Sequence, residues 1–225
     1  MRETLQGRYS APLSHKKLMT ILDNLTAEPD LKQVYSRMGF KAGKAGIPDS
    51  MLALVDEAVQ HGRELLKPTA CYDYRPIRMI PPHRIELDKA FSIESEKVFR
   101  WMEGCVGLYL CAVTIGPELD REVARLSNSG EVTRAFLLNA YGAEAAEALM
   151  ARLNRVIVNS IKKQRMEATK RYSPGYGDWE IAAQRDLLGT LGAEKIGIRL
   201  TEKYIMIPEK SVSAIIGVRD RQEWA

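Results

Sequence analysis

Cysteine and histidine are scarce in this chain. Its three cysteines, Cys71, Cys105 and Cys111, form no Cys-x-x-Cys pair and are odd in number, which argues against a disulfide framework. An iron–sulfur cluster would need more of them in recognised spacing, so reduced and mostly buried thiols are expected. His15, His61 and His83 are scattered without metal-ligand spacing, and no metal site is expected. Long apolar runs are lacking as well. No stretch approaches the roughly 20 residues of a membrane span, and Met1-Arg2-Glu3-Thr4 opens no signal-peptide core, so a cytoplasmic protein without a membrane partner is expected. The net charge is only +4, which argues against dedicated nucleic-acid binding. The one basic run, Lys162, Lys163, Arg165, Lys170 and Arg171, is better explained by cations placed near a helix C-terminus. Internal repeats and low-complexity segments are absent. No glycine-rich loop follows the apolar stretch Val106–Gly116, which argues against a Rossmann-type nucleotide fold.

What is present suits one large structural unit. The 225 residues are 45% hydrophobic and 28% charged, enough apolar material for a substantial core in an ordinary soluble chain. The first third reads as helical: Leu18, Ile21, Leu22 and Leu25 after a cap at Ser14, then Leu31, Val34, Tyr35 and Met38 up to Gly39. Lys41–Gly46 reads as a basic connector. Pro48 opens an amphipathic helix that Pro68 stops. Residues 1–68 are thus expected to be a helical segment packed on a main body of residues 69–225. In that body Ala70–Ile80 reads as strand, Pro81-Pro82 as a turn, and Arg84–Leu87 as a further short strand. Glu94–Glu103 has helical spacing. Val106–Thr114 reads as a central buried strand. Gly116-Pro117-Glu118 starts a helix, and a longer one runs from about Glu131 to Lys163 with Asn128 and Glu131 spaced as a capping box. Its small residues around Gly142 invite close approach by a backbone or a ligand, and leave Glu147 uncovered. Gln184–Leu191 reads as a helix ended by Gly192. Alternation through Ile196–Leu200, Tyr204–Met206 and Val212–Ile216 predicts an antiparallel meander. The element order indicates an α+β fold: a twisted antiparallel sheet with long helices packed on it and an N-terminal helical segment.

One segment stands out as ligand-facing, Arg171-Tyr172-Ser173-Pro174-Gly175-Tyr176-Gly177-Asp178-Trp179. Pro174 fixes its own φ and biases Ser173 towards extended backbone, while Gly175 and Gly177 permit conformations that a Cβ disfavours. Arg171 offers a forked, permanently charged donor for a carboxylate or phosphate. Tyr172, Tyr176 and Trp179 offer flat surfaces for a ring. The same composition also describes an ordinary Pro/Gly turn over a core.

Arg171 through Gly175-Tyr176 has the form Arg-x-x-x-Gly-Tyr and resembles the S-adenosylmethionine-binding signature of the activation domain of cobalamin-dependent methionine synthase. Leu200-Thr201-Glu202-Lys203-Tyr204-Ile205-Met206-Ile207-Pro208, followed by Lys210-Ser211-Val212-Ser213, resembles a second block of that family. Ala112-Val113-Thr114-Ile115-Gly116 has a counterpart too, so that the similarity runs from about Gly107 to Gly217. The resemblance implies that Arg171 binds the methionyl carboxylate of S-adenosylmethionine and that Ser173 and Gly175 make main-chain contacts to the nucleoside. It places Tyr176 where that ligand meets the corrin ring, and Glu147 near the ligand's amino group. A solvated helix glutamate is the competing reading of Glu147, with Glu144 three residues away able to serve equally; Glu202 reads better as a structural strand residue. No catalytic residue is implied. The family's aromatic pair after Ser-Val-Ser is replaced here by Ile215-Ile216-Gly217, and its early acidic contact has no counterpart placed in residues 1–40.

The implied function is a free-standing activation protein, the activation component of a methyltransferase acting in trans. It would bind S-adenosylmethionine and dock on a cobalamin-containing partner, methionine synthase first, to support reductive methylation of inactive cob(II)alamin with an electron from a flavodoxin-like donor. The partner carries the cobalamin, since a chain of this length leaves no room for the other modules of the complete enzyme. Alternatives are a reactivator of another corrinoid protein, or a non-catalytic docking module that has lost ligand binding.

Overall fold

The computed structural model describes residues 19–40, 47–87 and 91–220; the expected cap at Ser14, Leu18 and the connector Lys41–Gly46 lie outside them. The first half runs β1 (Thr20–Leu22), α1 (Leu31–Arg37), α2 (Asp49–Leu65), β2 (Thr69–Pro76), β3 (Arg78–Ile80), β4 (Arg84–Leu87), β5 (Phe91–Glu94) and α3 (Glu96–Trp101). The second half runs β6 (Cys105–Thr114), α4 (Glu118–Asn128), α5 (Val132–Lys162), β7 (Met166–Ala168), α6 (Gln184–Leu191), β8 (Arg199–Leu200), β9 (Met206–Ile207) and β10 (Ser211–Asp220).

The main sheet has the order β1-β2-β6-β10-β7, with every neighbouring pair antiparallel. β6 lies at its centre because both of its faces are covered, which is why its sequence is an unbroken apolar run and not an alternating one. Tyr109, Cys111 and Val113 point to a core shared with α1, α2, α4 and α5. Leu108, Leu110 and Ala112 point to a second core under α3, α6 and the small sheet β3-β4-β5. Alternation along a strand sends successive side chains to opposite layers, so one strand supplies both cores.

α5 is the organising helix of the first layer. Its 31 residues span about 46 Å at 1.5 Å per residue. Leu138, Leu149, Leu153 and Ile157 are buried along it, each stabilising the fold by roughly 1.5–3 kcal/mol relative to exposure. The small residues of its middle section serve helix packing: a Cβ on Gly142 would lie 2.5 Å from Leu119 of α4. On the neighbouring flank a Cβ on Gly62 of α2 would lie 2.3 Å from the ring of Tyr141. Helices approach α5 at these positions because a hydrogen stands where a methyl would collide.

Four expectations need correction. Thr20–Leu22 is a strand paired with Ala70–Tyr72, not part of a helix; edge pairing to β2 overrides an apolar spacing that also fits a helix. Asn128 ends α4 and Glu131 makes no side-chain cap on α5, so the capping box does not form. The C-terminal meander is absent. Ala193–Ile196 is a 3-10 turn, β8 and β9 make a separate two-residue ribbon, and β10 crosses back to lie between β6 and β7. Phe91–Glu94 adds a strand, β5, that the periodicity did not indicate. The other helices fall where expected, with Ser95 capping α3 through the Val98 amide and Gly192 ending α6 in a left-handed conformation.

Candidate functional site

The ligand-facing segment continues the line of β7 along the open edge of β10. The Thr169 amide donates to the Gly217 carbonyl, and Tyr172 and Ile215 exchange both backbone bonds, at 2.9 and 2.8 Å. The Ser173 hydroxyl then donates to the Ser213 carbonyl at 2.7 Å. Beyond Ser173 the chain leaves the sheet. Pro174 is buried, and Gly175 turns with φ +90°, its amide donating to the Trp179 carbonyl. Gly177 follows with φ +64°, and a Cβ there would fall 2.5 Å from the Tyr172 hydroxyl. The loop thus demands glycine both for its backbone sign and for the ring beside it.

Alternate aromatics of the loop take opposite duties. Trp179 is 3% exposed and anchors the loop in the second core, whereas Tyr176 is 70% exposed. The Tyr172 ring sits between Trp101, at 5.8 Å, and Trp179, at 6.3 Å. Asp178 ties the loop to the start of α3, accepting from the Ser95 hydroxyl at 2.6 Å and the Glu96 amide at 2.8 Å. The Ser95 hydroxyl foremost, then the α3 amides, hold the Asp178 carboxyl below its ordinary value. This is a carboxylate at a helix start, where the exposed amides favour negative charge.

The loop closes one side of a cleft of ≈ 720 Å³, a size suited to a ligand as large as a nucleoside with a side chain. Trp101 and Tyr172 give it flat walls, with Gln184 of α6 and Ser211 and Ser213 of β10 along its base. Gln184 is fixed from both ends, its side-chain amide donating to the Tyr204 carbonyl and its carbonyl accepting from the Ser213 hydroxyl. The resembling block around Tyr204 therefore supports the floor of the cleft. Glu202 lies in an exposed turn after β8 and not in a strand, which corrects its reading as a strand residue.

Arg171 and Glu147 meet at the cleft wall. Arg171 Nη2 donates to Glu147 Oε2 at 2.5 Å, with the side chains 35% and 41% exposed. Arg171 Nη1 is buried and makes no hydrogen bond among the described residues. Glu144 is held by Arg37 at 2.5 Å and does not line the cleft. The structure therefore separates the two glutamates that the sequence left equivalent. A second cavity of ≈ 690 Å³ adjoins the cleft on the far side of this pair. Glu28 and Asp30, just before α1, line it; they are acids near the site within residues 1–40, where the sequence reading placed none. Their distance from Arg171 along the chain left no signal to find them. Arg171, Ser173, Tyr176 and Glu147 all line the cleft, while Gly175 shapes the turn beside it. Ile215 and Ile216 are fully buried, one in each core, and neither lines the cleft.

A sheet edge carrying a glycine-hinged loop, with an arginine and aromatic walls over a nucleoside-sized cleft, defines an α+β domain with one concave face. The fold is similar to that of the MetH reactivation domain in a crystal structure bound to AdoHcy, with a TM-score of 0.66 over 96% of this chain and 83% of that one, at 17% identity. No curated protein sequence matches the chain. Residues 102–224 match the family described as vitamin B12 dependent methionine synthase, activation domain. The chain belongs to that family, whose B12 dependence associates it with cobalamin. Among the described residues, no helix is long and apolar enough to cross a membrane.

Proposed function

We propose that this protein binds S-adenosylmethionine in the cleft beside Arg171 and docks on a cobalamin-bearing methionine synthase to support its reductive methylation. The observation that carries the reading is the Arg171 guanidinium, which keeps one buried donor without a hydrogen bond among the described residues at the wall of an aromatic-lined cleft. A turn of the guanidinium into the cleft would bring that donor to a ligand carboxylate, and a fork-to-carboxylate bond is among the stronger polar contacts available. The AdoHcy carried by the similar MetH domain is a nucleoside of the same class.

The residues present fit such a ligand. Arg171 would take its carboxylate and Glu147 its ammonium. Ser173 and the backbone at Gly175 would lie along the nucleoside, and Tyr172 and Trp101 would pack against flat surfaces. When bound, S-adenosylmethionine supplies an activated methyl group, and the partner's cobalamin supplies the metal that receives it. The chain's own work is placement. It holds the ligand in one orientation, so that a step between two molecules proceeds as though within one. Tyr176, exposed at the mouth, and Trp101, half-exposed beside it, form the rim that a docking partner would cover. An electron from a flavodoxin-like donor completes the reading. Arg171→Ala should weaken S-adenosylmethionine binding by at least about 10-fold in calorimetry with the fold intact, since hydrogen bonds to charged groups contribute ~1.5–3 kcal/mol each. Unchanged affinity would refute the assignment. Reconstitution with cob(II)alamin-loaded methionine synthase tests the docking role, and no gain in remethylation would refute it.

A further inference from the structure

We propose that Gln184 reads the base of the ligand, its side-chain amide selecting a purine with an amino group at the 6-position over one with an oxygen there. The proposal rests on the ligand reading above and deepens it. The cleft turns around the edge of β10, and its two ends differ. At one end Arg171 meets Glu147 of α5. The neighbouring Tyr172 points the other way, into the second core beside Trp179, as adjacent residues of an extended segment do. Ser213 and Ile215 share that second side with Gln184, at the start of α6. A ligand whose carboxylate is held at Arg171 carries its base towards the end lined by Tyr172, Gln184 and Met206.

The hydroxyl protons at that end are spent. Ser211 donates to the Pro208 carbonyl, Ser213 to Gln184 Oε1, and Tyr172 to the Tyr176 carbonyl. Gln184 is 5% exposed and uses half of its capacity. Nε2 gives one of its two hydrogens to the Tyr204 carbonyl, and Oε1 takes one bond from Ser213. One donor and one acceptor remain on the amide. That pair matches an edge of adenine, whose N6 donates and whose N1 or N7 accepts. The amide also cannot turn over, because a flip would set its oxygen against the Tyr204 carbonyl and leave both acceptors unpaired. An unrestrained glutamine could flip to suit a 6-oxo purine, which accepts at O6 and donates at N1. The restrained one meets O6 with its own oxygen, and the mismatch rejects that base.

Calorimetry on the full chain with S-adenosylhomocysteine and S-inosylhomocysteine tests this, since the two probes differ only in the 6-amino and 6-oxo forms of the base. The wild type should bind the adenosyl probe at least about tenfold tighter, within the range of a bidentate base contact. Gln184→Met keeps the length of the side chain and removes both polar atoms, so it should bring the two affinities to within about twofold. Ser213→Ala keeps the amide and removes one of its two restraints, and should narrow the ratio by tightening the inosyl probe. Thermal unfolding checks that both variants fold, and the wild-type ratio is itself a test that needs no variant. Equal wild-type affinities, or a ratio that survives Gln184→Met while both probes weaken together, overturn the base contact and leave the ligand reading standing. A ratio unchanged in Ser213→Ala overturns the restraint. Failure of the wild type to bind either probe overturns both readings.

Discussion

Replacing Gly62 by alanine sets two effects of known size against each other. Alanine in a helix interior is favoured over glycine by about 0.8–1 kcal/mol. Against this, the new methyl would stand 2.3 and 2.6 Å from two ring carbons of Tyr141, where carbon atoms rest comfortably at about 3.5–4.0 Å. Tyr141 is fully buried, so its ring cannot swing into solvent, and more than an ångström of relief must come from moving α2 off α5. Overpacking of this kind costs about 1–3 kcal/mol. The collision wins, and the expected net loss is up to about 2 kcal/mol, or several degrees of melting temperature for a chain this long, at ~2–4 °C per kcal/mol. Gly189→Ala is the matched control. It also lies in a helix, α6, and a Cβ there meets nothing within 4 Å, so it should raise the melting temperature by ~2–4 °C. Adding Tyr141→Phe to Gly62→Ala should bring no relief, because the colliding ring carbons remain. Thermal unfolding followed by circular dichroism makes the comparison. Equal stabilisation by Gly62→Ala and Gly189→Ala would refute the close approach of α2 to α5. Glu147 lies less than two turns beyond Tyr141 on α5, so the same variant should also weaken ligand binding.

Two further outcomes follow from the ionisable groups. Asp178 has a folded-state pKa depressed below its ordinary 3.8, chiefly by the Ser95 hydroxyl. Its stabilisation is therefore present above pH ~4 and lost as pH falls through the folded value. Melting temperatures from pH 5 down to 2.5 should show Asp178→Asn less stable than the wild type at the upper end, with the gap closing on acidification; a constant gap would refute the linkage. Burial raises the thiol of Cys71 to about 12 and that of Cys105 to about 11, and Cys111 higher still. A thiol reagent at pH 8 should therefore find no fast-reacting cysteine in the native protein, and three after denaturation.

Much of this architecture could be read from residue order, and the failures have physical causes. Val106–Thr114 announced itself because a strand covered on both faces has no polar residue to interrupt it. The alternation in Val212–Ile216 marks β10 as a strand but not its neighbours, since alternation specifies a face and says nothing about which edge it joins. In β1, Ile21, Leu22 and Leu25 fit a helical period as well as a short edge strand; only the pairing of Thr20 with Tyr72 decides. Arg171, Ser173, Tyr176 and Glu147 were all placed by motif resemblance, and all line the cleft. What separates Glu147 from Glu144 is the rotation of α5 against Arg171 and Arg37, a tertiary fact. The second cavity was invisible for the same reason: Glu28 and Asp30 reach it from the other end of the chain.

The backbone exchange between Tyr172 and Ile215 makes the gripping segment an extra rung of the strand next to the sheet's centre. A flap hinged at the protein's edge can swing aside to admit a guest. This one is sewn into the fabric, and lifting it would unpick the strand beneath. Movement at the Arg171–Ser173 wall of the cleft is then expected from rotating side chains, at the speed of rotamers and not of loops.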